Sequence, residues 1–124
     1  MEAGALLFDT ETVIARVRAG IKRMQLPGIC HSVKFAASMR LRLFAAKGVT
    51  CVDCGIRGAV FALEFKTLPT PHLNLYTKNG ILMTMDHIRP RSKGGPHQLG
   101  NLQVMCSPCN ASKGDAWNPA KLAA

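Results

Sequence analysis

Between Thr12 and Val52 the sequence contains no aspartate and no glutamate. The same stretch holds Arg16, Arg18, Lys22, Arg23, Lys34, Arg40, Arg42 and Lys47, in a chain of net charge +9. A one-signed field of this size suits a polyanion such as DNA or RNA. A solvated helical face kept soluble by its charge is the plainer account of the same pattern. Long apolar runs are missing too. No stretch of about 18 apolar residues occurs, so no segment is expected to span a membrane. The opening residues MEAGALLFDTETV have neither a basic start nor a long apolar centre, so no signal peptide is expected and the default location is cytoplasmic. With 124 residues there is room for one domain of ordinary size. The five cysteines are odd in number, which argues against a disulfide framework.

What is present reads as helices first and strands afterwards. Asp9 or Thr10 can cap a helix through ETVIARVRAGIKRM, with Val13, Val17 and Ile21 on one face, and Pro27-Gly28 breaks it. Ser32 can cap a second helix, VKFAASMRLRLFAAK, whose apolar stripe is Val33, Ala36, Ala37, Leu41 and Phe44, with Gly48 as a left-handed stop. Beyond Gly48 the texture changes. CVDCG is a tight turn and AVFALEF a strand. LPTP is a loop. HLNLYT and ILMTMDHI are extended segments joined by KNG, a hairpin signal. RPRSKGGPHQLGN is a long polar loop, LQVM a short strand, and CSPCNASKGDAW a turn entering a short helix. The tail NPAKLAA is expected to be loose.

Cys51/Cys54 and Cys106/Cys109 form two C-x-x-C pairs, with Cys30 left over. Each such turn places two thiolates on one side of a knuckle, and two knuckles complete a tetrahedron around zinc. The gap between the pairs exceeds that of a usual zinc finger, so the intervening strands must bring them together. Four protein thiolates make a closed, structural site rather than a catalytic one. No βαβ pattern surrounds either motif, so a thioredoxin-like redox pair fits poorly. Four reduced thiols packed in a core is the remaining alternative.

Asp86-His87 interrupts an apolar strand. On a strand, adjacent residues point to opposite sides, yet at a strand end both can reach one site. A carboxylate can bind a hard cation such as magnesium, and a neutral imidazole can take a proton from water. Read alone, the pair is better explained by a surface ion pair or a hydrogen-bonded histidine.

The wider stretch MDHIRPRSKGGPHQLGNLQVMCSPCNASKGD resembles the HNH nuclease family: DHI-x-P, a Gly-rich loop, N-L-Q, then C-x-x-C-N with K-G closing the helix. The resemblance covers about residues 49–117. It implies a β-β-α unit clasping one divalent ion, with Asp86 as a catalytic-metal ligand and His87 as the general base. It also implies that Asn101 fixes the loop and orients the histidine. Asn110 falls at the last metal-binding position, which is histidine in some members. Lys113 lies at i+3 from Asn110 on the same helix face, where it could meet a phosphate or balance charge; a solvated helix lysine is the competing account. Arg89, Arg91 and Lys93 sit in the loop beside His87, placed for a phosphate backbone, and Arg40 and Arg42 add to the basic helix. His97 reads as a loop-surface residue, His72 and His31 receive no role, and Trp117 is expected to pack against the C-terminal helix.

The fold class expected is therefore α+β: a ββα-metal (HNH) core with a four-cysteine structural zinc site, preceded by two basic N-terminal helices. Residues 1–48 form a basic helical extension packed on the core, and residues 49–124 the nuclease core. The function expected is that of a metal-dependent HNH endonuclease, hydrolysing DNA phosphodiester bonds by nicking or double-strand cleavage. Its cofactors are structural Zn2+ and catalytic Mg2+ or another divalent cation, since one carboxylate and one amide discriminate weakly among ions. DNA is the expected partner, with no membrane. One active site cuts one strand at a time, so a double cut needs a dimer or two visits. The alternatives are a non-catalytic zinc module that binds nucleic acid, or a phage accessory protein, since compact HNH proteins also occur in phages, where some act with the DNA-packaging motor.

Overall fold

A computed structural model describes residues 1–65 and 70–119. The LPTP loop falls partly outside them, and so does the end of the NPAKLAA tail. The chain begins not with a helix but with a strand, β1 (Leu6–Asp9). Helix α1 (Thr10–Arg18) follows at once. Asp9 caps it, accepting from Thr12 N (2.8 Å) and Thr12 Oγ1 (2.7 Å), and these bonds hold its carboxyl below the usual range. Val13, Ile14 and Val17 are buried.

Both N-terminal helices are shorter than the periodicity predicts. Helix α1 ends at Arg18, and Gly20 then takes a positive φ of 79° that turns the chain away. Arg23–Met24 (β2) pairs antiparallel with Val33–Lys34 (β3), where helix is expected on both sides. Three further bonds clamp this region: Phe35 N to Lys22 O, Ala36 N to Ile21 O and Ala37 N to Lys22 O. Val33 and Phe35 point into the core on alternate residues, which a strand satisfies as well as the helical stripe does. Helix α2 (Met39–Lys47) therefore starts late, capped by Ser38 rather than Ser32, and stops at Gly48, φ 89°. Lys22, Arg23 and Lys34 thus lie outside any helix.

β4 (Val60–Glu64) is the middle strand of an antiparallel sheet ordered β1-β4-β5, where β5 is His72–Tyr76. The KNG turn forms as expected, with Thr77 N bonded to Ile81 O and Gly80 at φ 83°. Its two arms separate after a single bridge, Tyr76 to Leu82. The outgoing arm, β6 (Met83–His87), pairs instead with β7 (Leu102–Cys106), and α3 (Ser107–Lys113) follows.

One buried cluster joins these parts, with Leu41 and Phe44 of α2, Phe61 of β4, Leu75 of β5 and Leu102 and Val104 of β7 among its members. Side chains alternate across β7, so Leu102 and Val104 face α2 while Gln103 faces the other way. The β6–β7 hairpin is thus backed by α2 and carries α3 on its front.

Candidate active site and metal centre

The register of the hairpin sets Asp86 opposite Gln103 and Thr84 opposite Met105. Thr84 and Asp86, two residues apart, share the front face. Four contacts lie here. Gln103 Nε2 donates to Asp86 Oδ2 at 2.9 Å. Lys113 Nζ lies 3.1 Å from the same oxygen and 3.1 Å from the carbonyl of His87. Asn110 Nδ2 donates to Thr84 Oγ1 at 2.8 Å. Asn110 and Lys113 therefore both reach from α3 to β6. Asp86 is 7% exposed, and so buried an anion needs partners, which an ammonium and an amide supply.

His87 ends β6 on the other side of the chain. Its Nε2 lies 2.9 Å from Nδ1 of His97, and the ring centroids are 5.2 Å apart. Burial holds the His87 imidazole below its usual pKa of 6.5, and His97 and Arg91 push the same way against Asp86. The long loop that brings His97 back is closed by Asn101, which is buried. Its Oδ1 accepts from Arg89 N (2.9 Å), and its Nδ2 donates to Arg89 O (3.0 Å) and Pro96 O (2.9 Å). One amide thus stitches both ends of the loop.

The two glycines of this loop have separate reasons. Gly94 sits at φ 82° and ends a short 3-10 turn, Arg91–Lys93. Gly95 is needed for space: a Cβ there would lie 1.7 Å from Arg89 O and 3.0 Å from Asn101 Nδ2. Gly95→Ala is expected to pry the loop from Asn101 and release His97. The hydrogen-exchange protection of the Arg89 and Asn101 amides should fall, with β4 and β5 unaffected. Unchanged protection would show that the loop accommodates the methyl.

The four paired cysteines converge. Their sulfurs all lie within 4.8 Å of one another, and Cys54 and Cys106 are 3.7 Å apart. Bonds of about 2.3 Å to a tetrahedral ion put sulfurs roughly 3.8 Å apart, so four thiolates at this spacing fit such an ion. Burial pushes the Cys51 thiol up, but backbone N–H groups around it outweigh that and bring it to about 6. Cys106 and Cys109 are pushed up, by burial and by bonding to their sulfur neighbours respectively. The first knuckle is fastened to the hairpin by Val52 N to Val104 O, 2.9 Å. Cys109 lies in the first turn of α3, and Asn110 comes next.

The basic residues divide. Arg42, Arg89, Arg91 and Lys93 are exposed. Arg89 stacks its guanidinium 4.8 Å above the Trp117 ring and donates to Lys93 O, and Lys93 Nζ reaches Asp115 O. Trp117 thus packs under the loop as well as beyond α3. Arg40 is turned inward: it bonds Leu73 O and Asn74 Oδ1 on β5, both at 2.9 Å, and burial lowers its pKa. Arg18 donates to Ala45 O, and Lys47 to Leu102 O. Much of the acid-free stretch therefore ties α1, α2 and the strands together, behind the hairpin rather than at Asp86.

Residues 77–116 match the family model described as HNH endonuclease. This segment is an HNH domain. The match spans β6, the loop, β7 and α3, and so takes in Asp86, His87, Asn101, Cys106, Cys109, Asn110 and Lys113, while Cys51 and Cys54 lie before it. No curated protein and no solved structure matches the chain. An HNH domain in this segment suggests nuclease activity in general and a divalent metal. Among the described residues no helix is long and apolar enough to cross a membrane. Around the HNH motif the structure adds three side chains that sequence reasoning left without a role. Thr84 is recoverable by the strand period from Asp86. Gln103 needs the register, and His97 needs the path of the loop.

Proposed function

We propose that this protein is a metal-dependent endonuclease that hydrolyses phosphodiester bonds of DNA, with residues 49–124 as its nuclease core and residues 1–48 as a basic extension packed on that core. The observation that carries the reading is the arrangement at the end of β6: a buried carboxylate and an adjacent imidazole, with two polar side chains of α3 reaching the same strand.

Asp86 and Asn110 would hold the divalent cation. A carboxylate and an amide oxygen are hard donors that suit magnesium or manganese. Bound there, the cation supplies Lewis-acid stabilisation of charge building on the phosphate and the leaving oxygen. His87 accepts a proton from the attacking water; a new P–O bond forms as the bridging P–O bond breaks, and the leaving oxygen takes a proton from solvent. Lys113, already beside Asp86, is within reach of a phosphate bound there. Arg89, Arg91 and Lys93 offer positive charge along the loop, and Arg42 contributes to the long-range field. Arg40, engaged on β5, is left out of the DNA face. We infer zinc for the four-thiolate cluster from its donor set, in a framework role.

The test is conversion of supercoiled plasmid by purified protein with added magnesium or manganese, against the same protein with the added ion omitted. Omission is preferable to chelation, because a chelator would also strip the thiolate site. Nicked circles that appear only with the added ion are the expected result. DNA binding without cleavage under any ion would favour the non-catalytic zinc module.

A further inference from the structure

We propose that His97 is a positioning residue for His87: its Nδ1 accepts a hydrogen bond from His87 Nε2–H and so fixes the tautomer in which His87 Nδ1 carries the lone pair. The inference rests on reading His87 as the base.

A neutral imidazole has one N–H and one lone pair, and the partner of one nitrogen decides which atom carries which. The 2.9 Å contact between His87 Nε2 and His97 Nδ1 admits two arrangements. In one, His97 donates; His87 then carries its proton on Nδ1, its lone pair is engaged by His97, and it cannot take a proton from water. In the other, His87 donates; its Nδ1 is then a free base, and His97, an exposed residue, keeps its own proton on Nε2. Only the second places both rings in the Nε2–H form that free histidine prefers in water. It also survives the proton transfer: once Nδ1 is protonated, the Nε2–H of the imidazolium still donates to His97, now as a charge-assisted bond.

The placement of His97 is built into the loop. Asn101 holds the carbonyl of Pro96, the residue directly before it. Gly95 N bonds to Pro90 O (3.0 Å), and Gly95 leaves no space for a side chain against Arg89. His97 therefore stands on a loop closed at both ends.

Two variants and two readouts test this. His97→Ala should lower kcat by about 10- to 100-fold, the usual effect of losing an outer partner that orients a ligand or base, and leave KM unchanged. His97→Asn, whose Oδ1 can stand near the former Nδ1, should restore most of the loss. Independently of cleavage, 15N NMR of the His87 ring in the full, metal-loaded chain should show the Nε2–H tautomer, and a mixture of tautomers in His97→Ala. An Nδ1–H tautomer in the wild type, or equal kcat in wild type and His97→Ala, would overturn the inference. A wild type that cleaves nothing would instead remove the nuclease reading, and the ring spectra would still decide whether His97 sets the tautomer.

Discussion

Replacing His87 with alanine is expected to lower the rate of metal-dependent plasmid cleavage by about 10²- to 10⁴-fold, the span that a positioned proton acceptor supplies. The fold should be untouched. The side chain is half-exposed at the end of β6, and its bond is to His97, another side chain that is exposed. What His87 gives to the framework it gives through its backbone, by pairing with Leu102 and accepting from Lys113, and alanine keeps both. The measurement is the nicking rate of wild type and variant side by side, with thermal unfolding and metal content as controls. A variant that cuts at the wild-type rate would remove His87 as the base. A variant that is inactive but also unfolded would not match the structure, because nothing in the core depends on the ring.

Cys51→Ser should do the opposite, acting on folding first and on cleavage as a consequence. Cys51 is buried, and its sulfur shares a site with Cys54, Cys106 and Cys109. Apparent binding free energies of structural zinc run to roughly 10–16 kcal/mol in small peptides near neutral pH, comparable with the whole stability of an ordinary domain. Losing one thiolate weakens that link. It also frees the first knuckle from the start of α3, and Asn110 is the residue after Cys109. The expected outcome is a variant that aggregates, or that melts far below the wild type and retains less than one zinc per chain by elemental analysis. Chelation of the wild type should reproduce the loss. A soluble Cys51→Ser protein with unchanged melting would show that the cluster is not a structural metal site.

The C-terminal half was the more legible in sequence because its signals are local. The extended segment ILMTMDHI and the short strand LQVM correspond to β6 and β7, spacing gave the two knuckles, and the turn-then-helix CSPCNASKGDAW holds α3. The four sulfurs converge although the strands between the pairs could not be arranged from sequence. The N-terminal half was less legible because its decisive bonds are not local. Residues 33–37 satisfy a helical stripe and a strand alternation equally, and both Ser32 and Ser38 are good caps. Bonds to the carbonyls of Ile21 and Lys22 decide between them. The same holds for side chains. The run of arginines and lysines is plain in sequence, but whether Arg40 faces solvent or β5 depends on packing. His97 looked like loop surface because nothing within ten residues shows that the loop doubles back onto His87.

The ion pair between Lys113 and Asp86 has a thermodynamic consequence on the proposed role of Asp86. Lys113 is a cation tethered to its anion, so its local concentration at that carboxylate far exceeds that of any ion in solution. It is a standing competitor for the site. A phosphate arriving from DNA offers Lys113 a second anion, and each step Lys113 takes toward that phosphate releases Asp86. By linkage, nucleic acid and divalent cation then favour one another's binding to the same degree. The site would be selective in time as well as in space, filling most readily when there is a strand to cut.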